Sequence, residues 1–191
     1  MIRLPSVPSV ALARIAAAAC FGGLLTAASV ASAQSAAPAD AVRLHAADQT
    51  FVADGTKAVA TQRDAARIAT ARSADRDVKA FAERVSDDDA KITDALRAAS
   101  PRGVDVPKND PDEAVLARIN NLRGADFDTR YIEQVALAGE QKALSAFQAE
   151  IASGRDEKLK AAAKEALPTI QQHYAMAQEL AKRKHLSVAA Q

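Results

Sequence analysis

The chain has 191 residues, of which 25 are Lys or Arg and 24 are Asp or Glu, so its formal net charge is +1. This near balance argues against nucleic-acid binding, which calls for a basic face or stripe. Cys20 is the single cysteine, so no disulfide can form within the chain. Burial of apolar side chains must therefore stabilise the fold, and a chain of this size can bury enough.

Residues 1–33 have the pattern of a secretory signal peptide. Arg3 and Arg14 are their only charges, residues 15–30 are largely apolar, and Ala31-Ser32-Ala33 is a small-x-small site. A basic start, an apolar stretch and such a site predict export, with cleavage after Ala33. The apolar run of about 16 residues is shorter than the roughly 20 that a membrane-spanning helix needs.

Lipoprotein processing at Cys20 is an alternative interpretation of the same segment. The most apolar residues follow the cysteine, and Arg14 interrupts the stretch before it, which favours the secretory signal. Cleavage after Ala33 removes two arginines and no acid, which changes the net charge to −1.

The rest of the chain is rich in good helix formers and lacks runs of alternating β-branched residues. Residues 34–46 are small, polar and Pro-containing, and are predicted to be a flexible lead-in. The first two helices are predicted over about 47–72 and 74–99. Their inward-facing stripes comprise Val52, Gly55, Val59, Gln62, Ala66 and Ala69 in the first, and Val78, Phe81, Ala82, Val85, Asp89, Ile92 and Leu96 in the second.

A long connection with a short helix at about 111–122 separates this pair from two further helices. These are predicted over about 126–152, with Gly154 as a C-cap glycine, and about 156–184, with Pro168 expected to kink or break the helix. Their stripes comprise Ile132, Val135, Ala136, Gly139, Ala143, Ala146, Phe147 and Ile151 in the third, and Leu159, Ala163, Ala166, Ile170, His173, Ala177 and Leu180 in the fourth.

The fold class predicted from these patterns is all-α, an up-down four-helix bundle over residues 47–184 with a short extra helix in the long central connection. Residues 185–191 form a C-terminal tail. Four stripe positions depart from the apolar pattern, namely Gln62, Asp89, Gly139 and His173. Helix lengths put them within one or two turns of one another near the middle, so they form a predicted core polar layer. Facing polar residues in such a core are how carboxylate–histidine metal sites are built.

Several segments resemble an exported, ferritin-like family called domain of unknown function four-one-four-two. They are Val78-Lys79-Ala80-Phe81-Ala82, Ser86-Asp87-Asp88-Asp89, Phe127-Asp128-Thr129-Arg130-Tyr131-Ile132 and Leu167-Pro168-Thr169-Ile170-Gln171-Gln172-His173. The resemblance covers about residues 47–184 and implies a ferritin-like four-helix bundle. It also implies a periplasmic location with a possible association with the outer membrane, and a last helix that tolerates Pro168.

The family pattern resembled here has a Glu on the first helix and a His on each of the other three. The matching positions are Gln62, Asp89, Gly139 and His173, of which only His173 keeps the family residue. Glu140 is adjacent, but one residue along a helix turns the side chain by about 100°, so we expect it to point away from the seam. The chain has no Glu-x-x-His pair, which disfavours a di-iron site.

The function predicted from the sequence is that of an exported, non-catalytic helical bundle with a binding, structural or stress-related role. No catalytic residue or cofactor is assigned, and the partner is an unknown protein or envelope component. The alternative is a degenerate ferritin-like protein that binds a transition metal, or handles an oxidant, through His173 and Asp89. A membrane-binding surface has little support after signal cleavage, because the apolar stripes are narrow and lack flanking Trp or clustered basic residues.

Overall fold

The computed structural model describes residues 44–186, which form five helices and no strands. The all-α class is therefore confirmed for this part of the chain. The predicted signal peptide, most of the predicted lead-in and most of the predicted tail lie outside the described residues.

Helix α1 is continuous but has one wide turn near its start. It consists of an α-helical segment Ala46–Thr50, a π-helical segment Phe51–Gly55 and an α-helical segment Thr56–Arg72. Helix α2 spans Arg76–Ala99. Only three residues separate α1 from α2, so the two helices run in opposite directions and pack along their lengths.

Helix α3 is the short helix of the long connection and spans Glu113–Asn120. Helix α4 again contains a π turn: it runs through Gly124–Tyr131, the π-helical segment Ile132–Leu137 and Ala138–Ser153. Helix α5 spans Glu157–Arg183 and continues through Pro168 without a break.

Three aspartates fix where helices begin. Asp75, Asp112 and Asp156 each precede a helix and accept hydrogen bonds from the backbone N–H groups two and three residues later. Such caps satisfy donors that have no partner within the helix. The helix boundaries expected from the sequence thus have a local chemical cause at α2, α3 and α5.

The long helices pack in a closed series of pairs: α1 with α2, α2 with α5, α5 with α4, and α4 with α1. Their buried apolar residues fall into two clusters. One contains Phe81, Phe127 and Tyr131, and the other contains Phe51 and Phe147. In residues 44–186, no helix is both long and apolar enough to cross a membrane.

One polar residue on each long helix separates the two clusters. On α1 Gln62 lies between Val59 and Ala65, which belong to different clusters, and the same alternation occurs on the other three helices. The four residues, which we call the polar layer, are Gln62, Asp89, Glu140 and His173. A level of buried polar side chains therefore lies between the two apolar clusters.

Candidate functional site in the polar layer

The polar layer is buried as completely as the apolar core around it. Gln62 and Asp89 are 2% exposed, and Glu140 and His173 are 1% exposed. Burial of polar groups costs free energy unless they find partners. The partners of these four side chains therefore decide what the layer can do.

The structure contradicts the expectation that Glu140 points away from the seam. Its Oε1 atom lies 3.6 Å from Nδ1 of His173, while Gly139, predicted at the seam, is only partly buried. The cause is the π-helical segment Ile132–Leu137, which precedes Glu140. A π turn holds an extra residue, and each extra residue shifts the following helix by about 100° relative to a regular α-helix. Glu140 consequently takes the inward position on α4.

His173 lies between three carboxyl groups. Its Nε2 atom is 3.4 Å from Oδ2 of Asp88, and its Nδ1 atom is 3.6 Å from Oε1 of Glu140 and 4.0 Å from Oδ1 of Asp89. Asp88 reaches the surface, where it pairs with Lys91 at 3.0 Å and with Arg84. When Nε2–H donates to Asp88, the unprotonated Nδ1 faces Glu140 and Asp89. We call Asp89, Glu140 and His173 of the layer, together with the adjacent Asp88, the charged half.

The two adjacent aspartates of the charged half have opposite pKa shifts. Burial raises the pKa of Asp89 well above its usual range, and the charge of Glu140 adds to the effect. Burial also favours protonation of Asp88, but the hydrogen bonds from Lys91, Arg84 and His173 outweigh it and hold the pKa of Asp88 below its usual value. At a given pH Asp89 therefore carries less negative charge than Asp88, which lowers the negative charge in the buried interior.

The remaining part of the layer is neutral and is built from amides. The Nε2 atom of Gln62 donates to the backbone carbonyl of Val135 at 3.1 Å, which fixes the orientation of the amide. Its Oε1 atom is directed towards Gly139, where an added Cβ would lie only 2.5 Å away. The side chain of Gln62 thus uses the space left by the glycine. We call Gln62 of the layer, together with Gln134 and Gly139 on α4, the amide half.

Polar atoms without a hydrogen-bond partner are concentrated around this level. Among the described side chains, Oε1 of Gln62, Oδ2 of Asp89, Oε1 of Glu140 and Nδ1 of His173 have none, and neither does Oε1 of Gln134. Such atoms are rare in folded proteins because each loses its hydration without compensation. They indicate either a strained interior or a place for a ligand, a proton or water.

Residues 33–180 match the family model described as Domain of unknown function (DUF4142), which covers most of the chain. The chain belongs to the DUF4142 family. The resemblance inferred from the sequence motifs is thereby confirmed. Neither the curated proteins nor the solved structures include a significant match.

The positions that the sequence analysis expected to correspond to a family site do not all supply metal ligands. Gln62 is occupied with Val135, and Gly139 supplies no side chain. Across residues 44–186, no group of three or more His, Cys, Asp or Glu side chains is arranged to hold a metal ion. The residues present therefore do not fit a ferritin-type di-metal site. A metal site formed by His173 and Asp89 stays a prediction.

A second buried acid pair lies near the end of α4 and had no counterpart in the sequence predictions. Asp48 accepts hydrogen bonds from the backbone N–H groups of Arg155 at 2.7 Å and Asp156 at 3.0 Å. Burial, followed by the charge of Asp48, raises the pKa of Glu150 to about 7. Gly154 has φ −61° and is not left-handed; it leaves room for Glu150, whose carboxylate a Cβ there would overlap.

Proposed function

We propose that this DUF4142 protein is an exported, ferritin-like four-helix bundle that acts by binding and not by catalysis. The up-down arrangement is supported by the closed series of helix pairs and by the three-residue connections of α1 to α2 and α4 to α5. Export to the periplasm, free or attached to the outer membrane, is supported by the signal pattern of residues 1–33.

The concentration of unpartnered polar atoms at one level carries the proposal of binding. Five of the eight such atoms among the described side chains occur in Gln62, Asp89, Gln134, Glu140 and His173, and of these five residues Gln62 and Gln134 line a cavity that opens to the surface. A ligand that supplies the missing partners gains the hydrogen bonds that the folded protein lacks. The two amide oxygens beside the cavity therefore support a binding role.

The closure of the charged half supports a binding role over a catalytic one. The side chains of His173, Asp89 and Glu140 are 1%, 3% and 2% exposed. A catalytic acid or base must come within hydrogen-bond reach of its substrate. These three groups are enclosed by α2, α4 and α5, and a substrate has no path to them without a separation of the helices.

The alternative is a degenerate metal-binding or oxidant-handling protein that uses His173 and Asp89. One observation adds support that the sequence did not offer: Oε1 of Glu140 lies 3.6 Å from Nδ1 of His173, so Glu140 is a third residue that could coordinate a metal there. A metal would have to draw Asp89 and Glu140 towards His173, since these side chains do not form a metal-ligand group as they stand.

Elemental analysis separates the two candidates. The protein is recovered untagged from a periplasmic fraction without chelators, alongside a His173→Ala variant and a His185→Asn control. We expect less than about one tenth of a transition metal per chain in all three. About one metal per chain in the wild type and the control, and none in His173→Ala, would establish the alternative and reject the metal-free binding role.

Export is tested by the intact mass of the same preparation. We expect a chain that begins at Gln34, and an Ala33→Phe variant that keeps residues 1–33 because the site requires small residues. A wild-type chain that retains residues 1–33 and stays in the cytoplasm would contradict the proposal.

A further inference from the structure

A small cavity of about 210 Å³ opens from the surface to the amide half. It lies between α1, α3 and α4, and we call it the amide pocket. The residues that matter for its chemistry are Thr61, Gln62, Arg118, Gln134, Gly139 and Lys142, all of which line it. Its volume is below the roughly 300 Å³ at which pockets begin to enclose drug-sized ligands, so the occupant must be small.

The inner part of the pocket contains two amide oxygens that accept no hydrogen bond. The Oε1 atoms of Gln62 and Gln134 are buried and have no partner among the described residues. Gln62 is held in place because its Nε2 atom is bonded to Val135. The acceptor is therefore fixed in direction, and only a ligand or water that brings a donor can satisfy it.

Gly139 keeps the inner end of the pocket available. Any Cβ at this position would lie 2.5 Å from Oε1 of Gln62, which is the oxygen without a partner. A side chain there would both fill the cavity and cover that oxygen. Glycine at this position thus leaves both the cavity and that oxygen uncovered.

The outer wall of the pocket is preformed. Thr61 accepts a hydrogen bond from the backbone N–H of Asp112 at 2.8 Å, directly before α3. Both terminal nitrogens of Arg63 donate to the carbonyl of Lys108 at 3.2 Å. These bonds hold α3 and the preceding connection against α1. A wall that is already ordered reduces the entropy lost when a ligand binds.

The outer part of the pocket is cationic. Arg118 and Lys142 line it, are exposed, and form no ion pair within residues 44–186. Asp112 also lines the pocket; its Oδ1 atom caps α3 by accepting from the N–H groups of Ala114 and Val115, and its carboxylate leaves the outer part with an excess of one positive charge. Arg and Lys side chains bind carboxylates through charge-assisted hydrogen bonds.

We propose that the amide pocket binds a free, small α-amino acid. Its ammonium group donates to Oε1 of Gln62 and of Gln134, and its carboxylate faces Arg118 and Lys142. Amide oxygens at the inner end and cationic side chains at the outer end match the ammonium and carboxylate groups of a zwitterion. A simple carboxylate brings no donor to the amide oxygens, and a simple amine brings no negative charge to Arg118 and Lys142. The inference rests on the proposed binding function and names its ligand class.

Isothermal titration of the mature protein, residues 34–191, tests the inference. The probes are glycine, L-alanine, L-serine and L-aspartate, with acetate and methylammonium as ligands that carry only one of the two charged groups. We expect at least one amino acid to bind at least tenfold more tightly than either single-charge ligand. Equal affinity for an amino acid and for acetate or methylammonium, or no heat from any of the four amino acids up to 10 mM (roughly Kd above 1 mM, or weaker than about −4 kcal/mol), would overturn the inference.

The variants are chosen so that misfolding cannot mimic loss of binding. Arg118→Gln and Lys142→Gln change exposed residues, and each is expected to weaken amino-acid binding at least tenfold. Arg102→Gln is the matched control outside the pocket and is expected to bind like the wild type. Wild-type affinity in both pocket variants would overturn the inference.

Failure of this inference and failure of the proposed function give different results. A processed, metal-free protein that binds none of the amino acids contradicts only the ligand class. A protein that turns over a substrate contradicts the proposed non-catalytic function, whatever its affinity for amino acids.

Discussion

The two halves of the polar layer lie at one level of the core but satisfy their polar atoms in different ways. In the charged half the side chains of His173, Asp89 and Glu140 are almost fully enclosed, and only Asp88, at its edge, borders a surface cavity of about 220 Å³. The amide half is neutral, uses Gln62 to occupy the space beside Gly139, and opens into a cavity of about 210 Å³. The enclosed ionisable groups therefore suit a structural role, whereas the unpartnered amide oxygens beside a cavity suit the binding of a ligand.

The largest effect is expected from breaking the charged half. His173→Leu removes the hydrogen bond between Nε2 of His173 and Asp88 in a fully buried position. We expect a loss of about 3 kcal/mol in the free energy of unfolding, measured by urea denaturation, because a buried carboxyl group loses a hydrogen-bond partner. His185→Asn is the control at an exposed position with φ 56°, which Asn tolerates, and should stay within about 0.5 kcal/mol. A loss below about 1 kcal/mol in His173→Leu would mean that the contacts of His173 with the carboxyl groups do not stabilise the fold.

The next largest effect is a pH dependence of stability that comes from the charged half and from the Asp48–Glu150 pair, and not from the amide half. The folded-state pKa is raised for Asp89, and for Glu150 it is raised from 4.5 to about 7. A raised pKa means that the folded state binds more protons, so stability present at low pH is lost as the pH rises through the folded pKa. We expect the free energy of unfolding to fall by roughly 2–3 kcal/mol between about pH 5 and pH 8, since the pKa of Glu150 is raised from 4.5 to about 7 and one pKa unit corresponds to about 1.4 kcal/mol.

The variants assign that pH dependence to particular groups. Glu150→Gln should remove the loss of stability that extends up to about pH 7, and Asp89→Asn should reduce the pH dependence that is left. Gln62→Leu, in the amide half, should keep the wild-type slope. The lowered pKa values of Asp48 and Asp88 act only as the pH falls towards 3.8 and below, outside this window. A slope that survives Glu150→Gln and Asp89→Asn combined would contradict the account.

The smallest effect is expected at Gly139. Gly139→Ala gains about 1 kcal/mol of helix propensity, but the new Cβ lies 2.5 Å from Oε1 of a pinned Gln62, and overpacking costs about 1–3 kcal/mol. We expect a net loss of about 1 kcal/mol that Gln62→Ala relieves in the double variant, as measured by a double-mutant cycle. Ala138→Ser on the exposed face is the control. Stabilisation by Gly139→Ala alone would show that Gln62 moves aside freely.

The sequence was sufficient for the helices because local chemistry determines them. The stripes on α2 and α5 are buried at every predicted position, and aspartate caps begin both helices. The family follows from motifs such as Phe127-Asp128 and Leu167-Pro168, and the family match agrees. These features depend on spacing within one helix, which a sequence states directly.

The composition of the site was only partly predictable because it depends on the π turn in α4. A regular helix puts Gly139 at the seam and Glu140 away from it, whereas the π-helical segment Ile132–Leu137 reverses the two. One signal was present in the sequence: Leu144 is a large apolar residue that the regular stripe leaves out, and the structure buries it. The Asp48–Glu150 pair depends on contacts between distant segments, and no spacing within a helix indicates it.

The most direct test of the two-halves account is one NMR titration of the mature protein that observes both halves at once. The side-chain amide signals of Gln62 and Gln134 report on the amide half, and the imidazole signals of His173 report on the charged half; each is assigned by substitution. On addition of glycine, L-alanine, L-serine or L-aspartate, the account predicts shifts of the two amide signals with an unchanged imidazole. A shift of the imidazole on addition of Zn²⁺, with amide signals that respond to none of the four amino acids, would contradict it.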